Sequence, residues 1–238
     1  MGLSTRLSSV LGRISAAASR ARRDPAAVCL VAVCKTVPID TIRAAYDLGL
    51  RHFGENRVEE AATKAALLPP DITWHMIGHI QSRKAKQVLL SMQVVHSVDS
   101  VRLAARLDRL SAQRPERLPV LVQINVSGEA SKGGFGASGW LKDPEGRQRL
   151  FSSIGQVVAL PHIKVEGLMT IAPIVADAED ARGVFIALRR LRDELRDTFP
   201  DTDWRNLSMG MTDDFEVAIE EGATMVRIGR AIFAGDDP

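Results

Sequence analysis

The chain has 238 residues, enough to bury a sizeable core in one large α/β unit or two small ones. Hydrophobic residues make up 45% and charged residues 25%, which excludes wholesale disorder. Lysine and arginine number 31 against 29 aspartates and glutamates, a net charge of +2 that excludes a strong electrostatic pull toward nucleic acid or anionic membrane. The two cysteines, Cys29 and Cys34, lie five apart in one apolar run, where an extended strand holds them too far apart to bridge. They exclude a disulfide scaffold and point to a reducing compartment. The longest unbroken apolar run, Ala26–Cys34, is nine residues and too short to cross a bilayer. The expectation is a cytoplasmic globular protein.

Before Asp24 there is no acidic residue, and Arg6, Arg13, Arg20, Arg22 and Arg23 alternate with Ser and Ala, a composition shared with organelle transit peptides. Leu3, Leu7, Val10, Leu11 and Ile14 fall at helical spacing on one face. The preferred reading is therefore an amphipathic helix within residues 1–23, packed on the domain. Gly2 is not a myristoylation site, because Arg6 stands where that signal has Ser or Thr.

Short apolar runs then alternate with longer amphipathic stretches. Val28–Val33 reads as a strand, Ile39–Leu48 as a helix ended by Gly49, and His52–Phe53 as a short strand. Val58–Leu68 is a helix closed by Pro69 and Pro70, Thr73–Ile77 a strand, and Ser82–Leu90 a basic helix. Val94–Ser97 precedes a helix from Ser100 to Gln113, and Pro119–Val126 is the clearest strand. Ser127–Gly139, rich in glycine, reads as a flexible segment after that strand. Ile163–Met169 is the next strand and Asp177–Phe199 the longest helix. Asn206–Leu207 and Met225–Ile228 close the series, with Asp213–Glu221 helical between them. Strand followed by helix, repeated about eight times without a break in composition, predicts parallel strands in a single (β/α)8 barrel spanning residues 1–238.

Every candidate site residue then falls at the carboxyl end of a strand, the face on which such barrels assemble pockets. Lys35 directly follows the first strand. A lysine at a barrel mouth becomes an amine nucleophile when desolvation or a nearby cation removes its proton, and its natural reaction is imine formation with an aldehyde or ketone. That chemistry suits either a pyridoxal 5′-phosphate (PLP) protein or a Schiff-base aldolase. Leu207–Asp214 supplies a hydroxyl, a glycine backbone and a helix start with Thr212 or Asp213 as cap. Val226–Phe233 runs from a strand into Gly229 and a short final helix. These are the seventh and eighth strand ends, where barrels commonly bind phosphate, and the eighth closes beside the first.

The residues resemble, over nearly the whole chain, the pyridoxal phosphate homeostasis protein family, single-domain relatives of the N-terminal barrel of fold-type III PLP enzymes such as alanine racemase. The matching blocks are 32–38, 53–56, 74–81, 96–100, 123–132 and 167–173, with the two C-terminal segments. The resemblance implies that Lys35 forms the internal aldimine with PLP, and that Ser208 with the backbone at Gly210, Gly229 and Arg230 holds the phosphate. It implies that Arg227 faces the pyridine nitrogen, with Asn56, Met76 and Ile77 lining the pocket near the ring. This sequence departs from the family pattern at Arg83, where Asn is usual, at Arg230, where Ser or Thr is commoner, and at Arg57, which replaces a frequent aromatic.

PLP is the best electron sink when its ring nitrogen is protonated, and an always-charged arginine donating to that nitrogen keeps it unprotonated. In the racemase relatives a second base, a tyrosine, comes from a separate C-terminal domain. Here the sequence ends just past the barrel, and its one tyrosine, Tyr46, lies in the first crossover helix. The expected function is a monomeric PLP carrier that buffers cofactor or delivers it to PLP-dependent apo-enzymes, without efficient catalysis. The alternatives are a small PLP-dependent amino-acid racemase and the aldolase. Cys34 should point away from the pocket by strand alternation. His75 and His79 lack the glutamate of a metalloprotease helix and read as strand-end packing, so no metal site is expected. Arg83, Lys84 and Lys86, and the arginines interleaved with acids at 189–197, read as solvated helix faces.

Overall fold

The computed structural model of the chain describes residues 2–234. Its strands are β1 (Cys29–Val33), β2 (His52–Glu55), β3 (Thr73–Met76), β4 (Val94–Val98), β5 (Leu118–Asn125), β6 (Phe135–Gly136), β7 (Ile163–Met169), β8 (Asn206–Ser208) and β9 (Met225–Ile228). β6 adds two residues alongside β5. The other eight pair side by side in chain order, all parallel, and β9 pairs back onto β1, so the sheet closes into a (β/α)8 barrel. Closure is specified by four register pairs, from Cys29 opposite Met225 to Ala32 opposite Ile228.

Nine helices are described: α1 (Leu3–Arg20), α2 (Ile39–Asp47), α3 (Val58–Leu67), α4 (Ala85–Ser91), α5 (Val101–Ser111), α6 (Pro144–Val158), α7 (Arg182–Thr198), α8 (Phe215–Glu220) and α9 (Arg230–Phe233). Helix α6 was not anticipated. Its start is nevertheless encoded, because the Asp143 carboxylate accepts the Gly146 N–H at 2.9 Å and Pro144 occupies the first turn. The basic helix opens as a 3-10 turn, Ser82–Lys84, before α4. The expected 177–199 helix likewise divides into a 3-10 turn, Ala178–Ala181, and the 17-residue α7, one residue shorter than α1. Helix α8 starts later than expected, with Asp214 at its cap and the Asp214 carboxylate turned back onto the Met211 N–H at 2.6 Å.

One apolar cluster joins outward strand residues such as Phe53 and Val95 to helix residues such as Ile42 and Leu107. Val31, Leu121 and Met169 are buried but stand outside that cluster, on the inner face that strand alternation gives the barrel. The first helix packs as predicted, with Leu7, Val10 and Ile14 buried, though Leu11 is exposed. Arg13 and Arg20 of α1 pair with Glu216 and Glu220 of α8 at 2.9 and 2.8 Å, and the Arg6 guanidinium donates to the Ile232 carbonyl of α9. Between β7 and β8, Gly167 has φ +146°, and a Cβ there would lie 1.9 Å from the Asn206 carbonyl oxygen, so only glycine lets these strands pair.

Truncating Ile14 to alanine removes buried apolar volume from the α1 interface and is expected to lower stability by about 2–5 kcal/mol in urea unfolding. A loss below about 0.5 kcal/mol, the range of a surface change, would show that α1 is not part of the cooperative unit.

Candidate functional site

The strand ends carrying the predicted residues open into a cavity of about 1140 Å³. Lys35, Asn56, Ile77, Arg227, Gly229 and Arg230 line it, together with Lys132 and Gly133 from the glycine-rich segment and Ile171 and Ile174 from the segment after β7. That glycine-rich segment is tied down. The Asn125 side-chain amide donates to the carbonyls of Glu129 and Lys132, the Gln123 amide donates to that of Gly133, and β6 pairs with β5.

Lys35 is exposed at the end of β1, and no hydrogen bond or ion pair to its amine is found among the described residues. Its backbone is held firmly. Thr36, next in the chain, has φ +62°, a left-handed conformation that is strained for a β-branched residue. The turn is fixed from outside the barrel by the buried Lys64 ammonium, which donates to the Cys34 carbonyl at 2.7 Å and pairs with Glu55 at 2.5 Å. Cys34 faces this pair, its Sγ 3.3 Å from Glu55, and so points away from the cavity as alternation predicts. Burial first, and then the Glu55 carboxylate, push the Cys34 thiol well above its usual range, which leaves it a poor nucleophile.

Three predicted site residues are not brought to the cavity wall. Met76 is buried on the outer face of β3, because His75 before it and Ile77 after it take the inner positions. The Ser208 hydroxyl is fully buried inside the barrel and already engaged, receiving the Arg227 N–H at 2.6 Å and meeting His96 Nδ1 at 2.9 Å. Gly210 packs under α8, where a Cβ would lie 2.6 Å from that of Ala218, and its carbonyl accepts the Arg227 backbone N–H. Arg230 reaches the rim, where it is exposed and paired with Asp213, which lines the same cavity. Tyr46 bonds Asp71 on the exposed side of α2, and neither tyrosine nor cysteine is among the cavity-lining residues described.

Sequence reasoning missed a row of histidines through the barrel interior. His52 Nδ1 meets His75 Nε2 at 3.0 Å, His75 Nδ1 meets His96 Nε2 at 2.9 Å, and His96 leads to Ser208 and Arg227. The available signal was a histidine on each of three successive strands, all on the inner face. Desolvation first, with smaller contributions from His52 at His75 and from His75 and Arg227 at His96, pushes His75 down to about 3 and His96 well below its usual value, so both are neutral at pH 7. Arg227 is 4% exposed, and burial lowers its guanidinium to about 10, still a cation at neutral pH.

Residues 7–237 match the family described as alanine racemase, N-terminal domain. The chain is 42% identical over 234 residues to the pyridoxal phosphate homeostasis protein of Aquifex aeolicus, covering 98% of each. It belongs to this family. The corresponding Pseudomonas aeruginosa protein is 44% identical, over 97% of this chain and 94% of that one. Among solved structures, PipY of Synechococcus elongatus, determined with PLP bound, superposes with a TM-score of 0.81 at 36% identity, covering 98% of this chain and 100% of PipY. No helix among the described residues is long and apolar enough to cross a membrane.

The buried histidines make stability pH-dependent with a definite sign. Below about pH 6.5 the unfolded chain takes up protons that folded His75 and His96 refuse, so stability falls as pH falls. The two together should remove about 2 kcal/mol between pH 6.5 and pH 5.5. Urea unfolding across that window, above the range where carboxylates titrate, measures it. A flat profile, or an unchanged slope in a His75→Gln variant, would contradict the buried neutral row.

Proposed function

We propose that this chain binds PLP in the cavity at the carboxyl ends of its barrel strands and acts in intracellular PLP homeostasis, buffering the cofactor or delivering it to PLP-dependent apo-enzymes without efficient catalysis. The observation that carries the reading is the meeting, in one open cavity, of an unpaired lysine amine and a buried arginine from the neighbouring strand. PipY with bound PLP and the names of the curated relatives support it.

In this reading Lys35 holds the cofactor through its aldehyde, on a turn that Lys64 and Glu55 keep in place. Arg227, deeper in the barrel, faces the ring nitrogen. Gly229 and the opening N–H groups of α9, which have no partner within the helix, receive the phosphate, and Asn56 and Ile77 flank the ring. Ser208 takes no part with its hydroxyl, which serves Arg227 instead. Bound PLP supplies an electron sink, weakened where its ring nitrogen stays unprotonated. Arg227 can only donate, so it favours that unprotonated form. The cavity exceeds the roughly 300–1,000 Å³ usual for small-molecule sites, which leaves room for an incoming amine to draw the cofactor away. The cytoplasm suits the two free cysteines, Cys29 and Cys34.

Borohydride reduction of the PLP-loaded protein, followed by peptide mass mapping, should place the pyridoxyl group on Lys35. Lys35→Ala should lose the label with its unfolding midpoint unchanged, since the side chain is exposed. A label on Lys84 or Lys132 would displace Lys35 from this role.

Turnover is tested separately by α-hydrogen exchange of L- and D-alanine in deuterated water, followed by NMR. The loaded protein should exchange far more slowly than about 1 s⁻¹, because a positioned base typically contributes a factor of about 10²–10⁴ and no tyrosine or cysteine lines the cavity among the described residues. Exchange at 1 s⁻¹ or faster would put a racemase first.

A further inference from the structure

Arg227 is a buried cation with no salt bridge among the described residues. The one acid whose charge is felt there, Asp214, spends its carboxylate on the Met211 N–H. A buried charge without a counter-ion is costly unless other groups solvate it. Two neutral oxygens do so directly, the Thr170 carbonyl at 2.8 Å and the Ser208 hydroxyl at 2.6 Å.

The direction of every hydrogen bond behind Ser208 follows. A guanidinium only donates, so Ser208 Oγ accepts from it. The hydroxyl's single hydrogen then has one acceptor among the described residues, His96 Nδ1 at 2.9 Å. His96 must therefore carry its proton on Nε2 and donate to His75 Nδ1 at 2.9 Å. The same constraint puts the His75 proton on Nε2, donating to His52 Nδ1 at 3.0 Å. The row ends at His52, half-buried where β2 begins, with its own Nε2–H directed onward.

We propose that Ser208, His96, His75 and His52 form a hydrogen-bonded chain of single polarity, each imidazole an Nε2–H tautomer, which solvates Arg227 with neutral dipoles in place of a carboxylate and leaves its charge directed into the ligand cavity. Each ring turns its lone pair toward the cation, so the dipoles align in the favourable sense and reinforce one another. Burial lowers all three imidazoles and keeps the two inner rings neutral, His75 being pushed down to about 3 and His96 well below its usual value. A carboxylate in the place of Ser208 would neutralise Arg227, whereas a dipole chain fixes the guanidinium and preserves the charge. These four are positioning residues that act through Arg227. The consequence for the ligand rests on the PLP reading; the tautomer assignment does not.

The test is long-range ¹H–¹⁵N NMR of the full chain labelled at histidine nitrogen, at pH 7, without added PLP. His52, His75 and His96 should each show the Nε2–H pattern. In Arg227→Met, which removes the obligate donor, His96 and His75 should shift toward the Nδ1–H form. An Nδ1–H or mixed pattern at His75 or His96 in the unaltered protein overturns the chain, and so does an unchanged pattern in a folded Arg227→Met. Where that variant does not fold, the unaltered protein's spectrum decides alone. A second arm measures PLP dissociation. Ser208→Ala should weaken binding about tenfold and Ser208→Thr should restore it, in line with the loss of a hydrogen bond to a charged group. Equal affinities would contradict the positioning role. Failure of the unaltered protein to bind PLP would sink the cofactor reading while leaving the tautomer result standing.

Discussion

The constraint on which the rest of this structure turns is the burial of a guanidinium inside a closed barrel with no ion-pair partner among the described residues. Barrel interiors are ordinarily filled by branched apolar residues in layers. Here Val31, Leu121 and Met169 share the interior with His75, His96, Ser208 and Arg227, so the inner face carries polar groups that must all find partners. They do so in file, each ring handing its hydrogen bond to the next, and the file ends at Arg227. Register makes this possible. His52, His75 and His96 sit on successive strands, and Arg227 lies opposite Val31 on the strand that closes the ring.

The cavity side is arranged by a second buried charge, on the other face of the sheet. The Lys64 ammonium and the Glu55 carboxylate are 9% and 0% exposed, and removing one partner of such a pair costs about 3–5 kcal/mol because the other is left uncompensated. The ammonium also holds the carbonyl just before Lys35, so the strained Thr36 turn is over-determined by the packing of α3 on β2. The exposed lysine thus has a fixed backbone and an amine with no partner among the described residues. The proposed PLP site combines these two arrangements, a lysine positioned from outside the barrel and an arginine oriented from inside it.

Much of this was legible in the sequence, for identifiable reasons. The alternation of short apolar runs with amphipathic stretches reports parallel strands and crossovers directly, and β9 falls on the predicted residues, Met225–Ile228. Lys35 stood out as a charge directly after a short apolar strand, whereas the place of Arg227 came only from the resemblance of its segment to the family. Helix α6 was hidden because a glycine-rich stretch precedes it and drew attention from the Asp143–Pro144 start signal. Met76 and Ser208 are not among the cavity-lining residues, because a motif identifies residues but not which face of the strand they take. Alternation from His75 and Ile77 puts Met76 outside, and Ser208 belongs to the inner row rather than the mouth. The file from His52 to Arg227 joins residues far apart in the sequence, and a connection that exists only across strands leaves no local pattern to read.

Arg227, which lines the cavity and has no salt bridge among the described residues, is proposed to face a bound pyridine ring that presents a lone pair and not a proton. The most direct measurement is the ¹⁵N chemical shift of PLP labelled at its ring nitrogen and bound to the full-length protein at pH 7. The expected shift is that of an unprotonated, hydrogen-bonded pyridine, moving to the pyridinium range in Arg227→Glu. A pyridinium shift in the unaltered protein would contradict it.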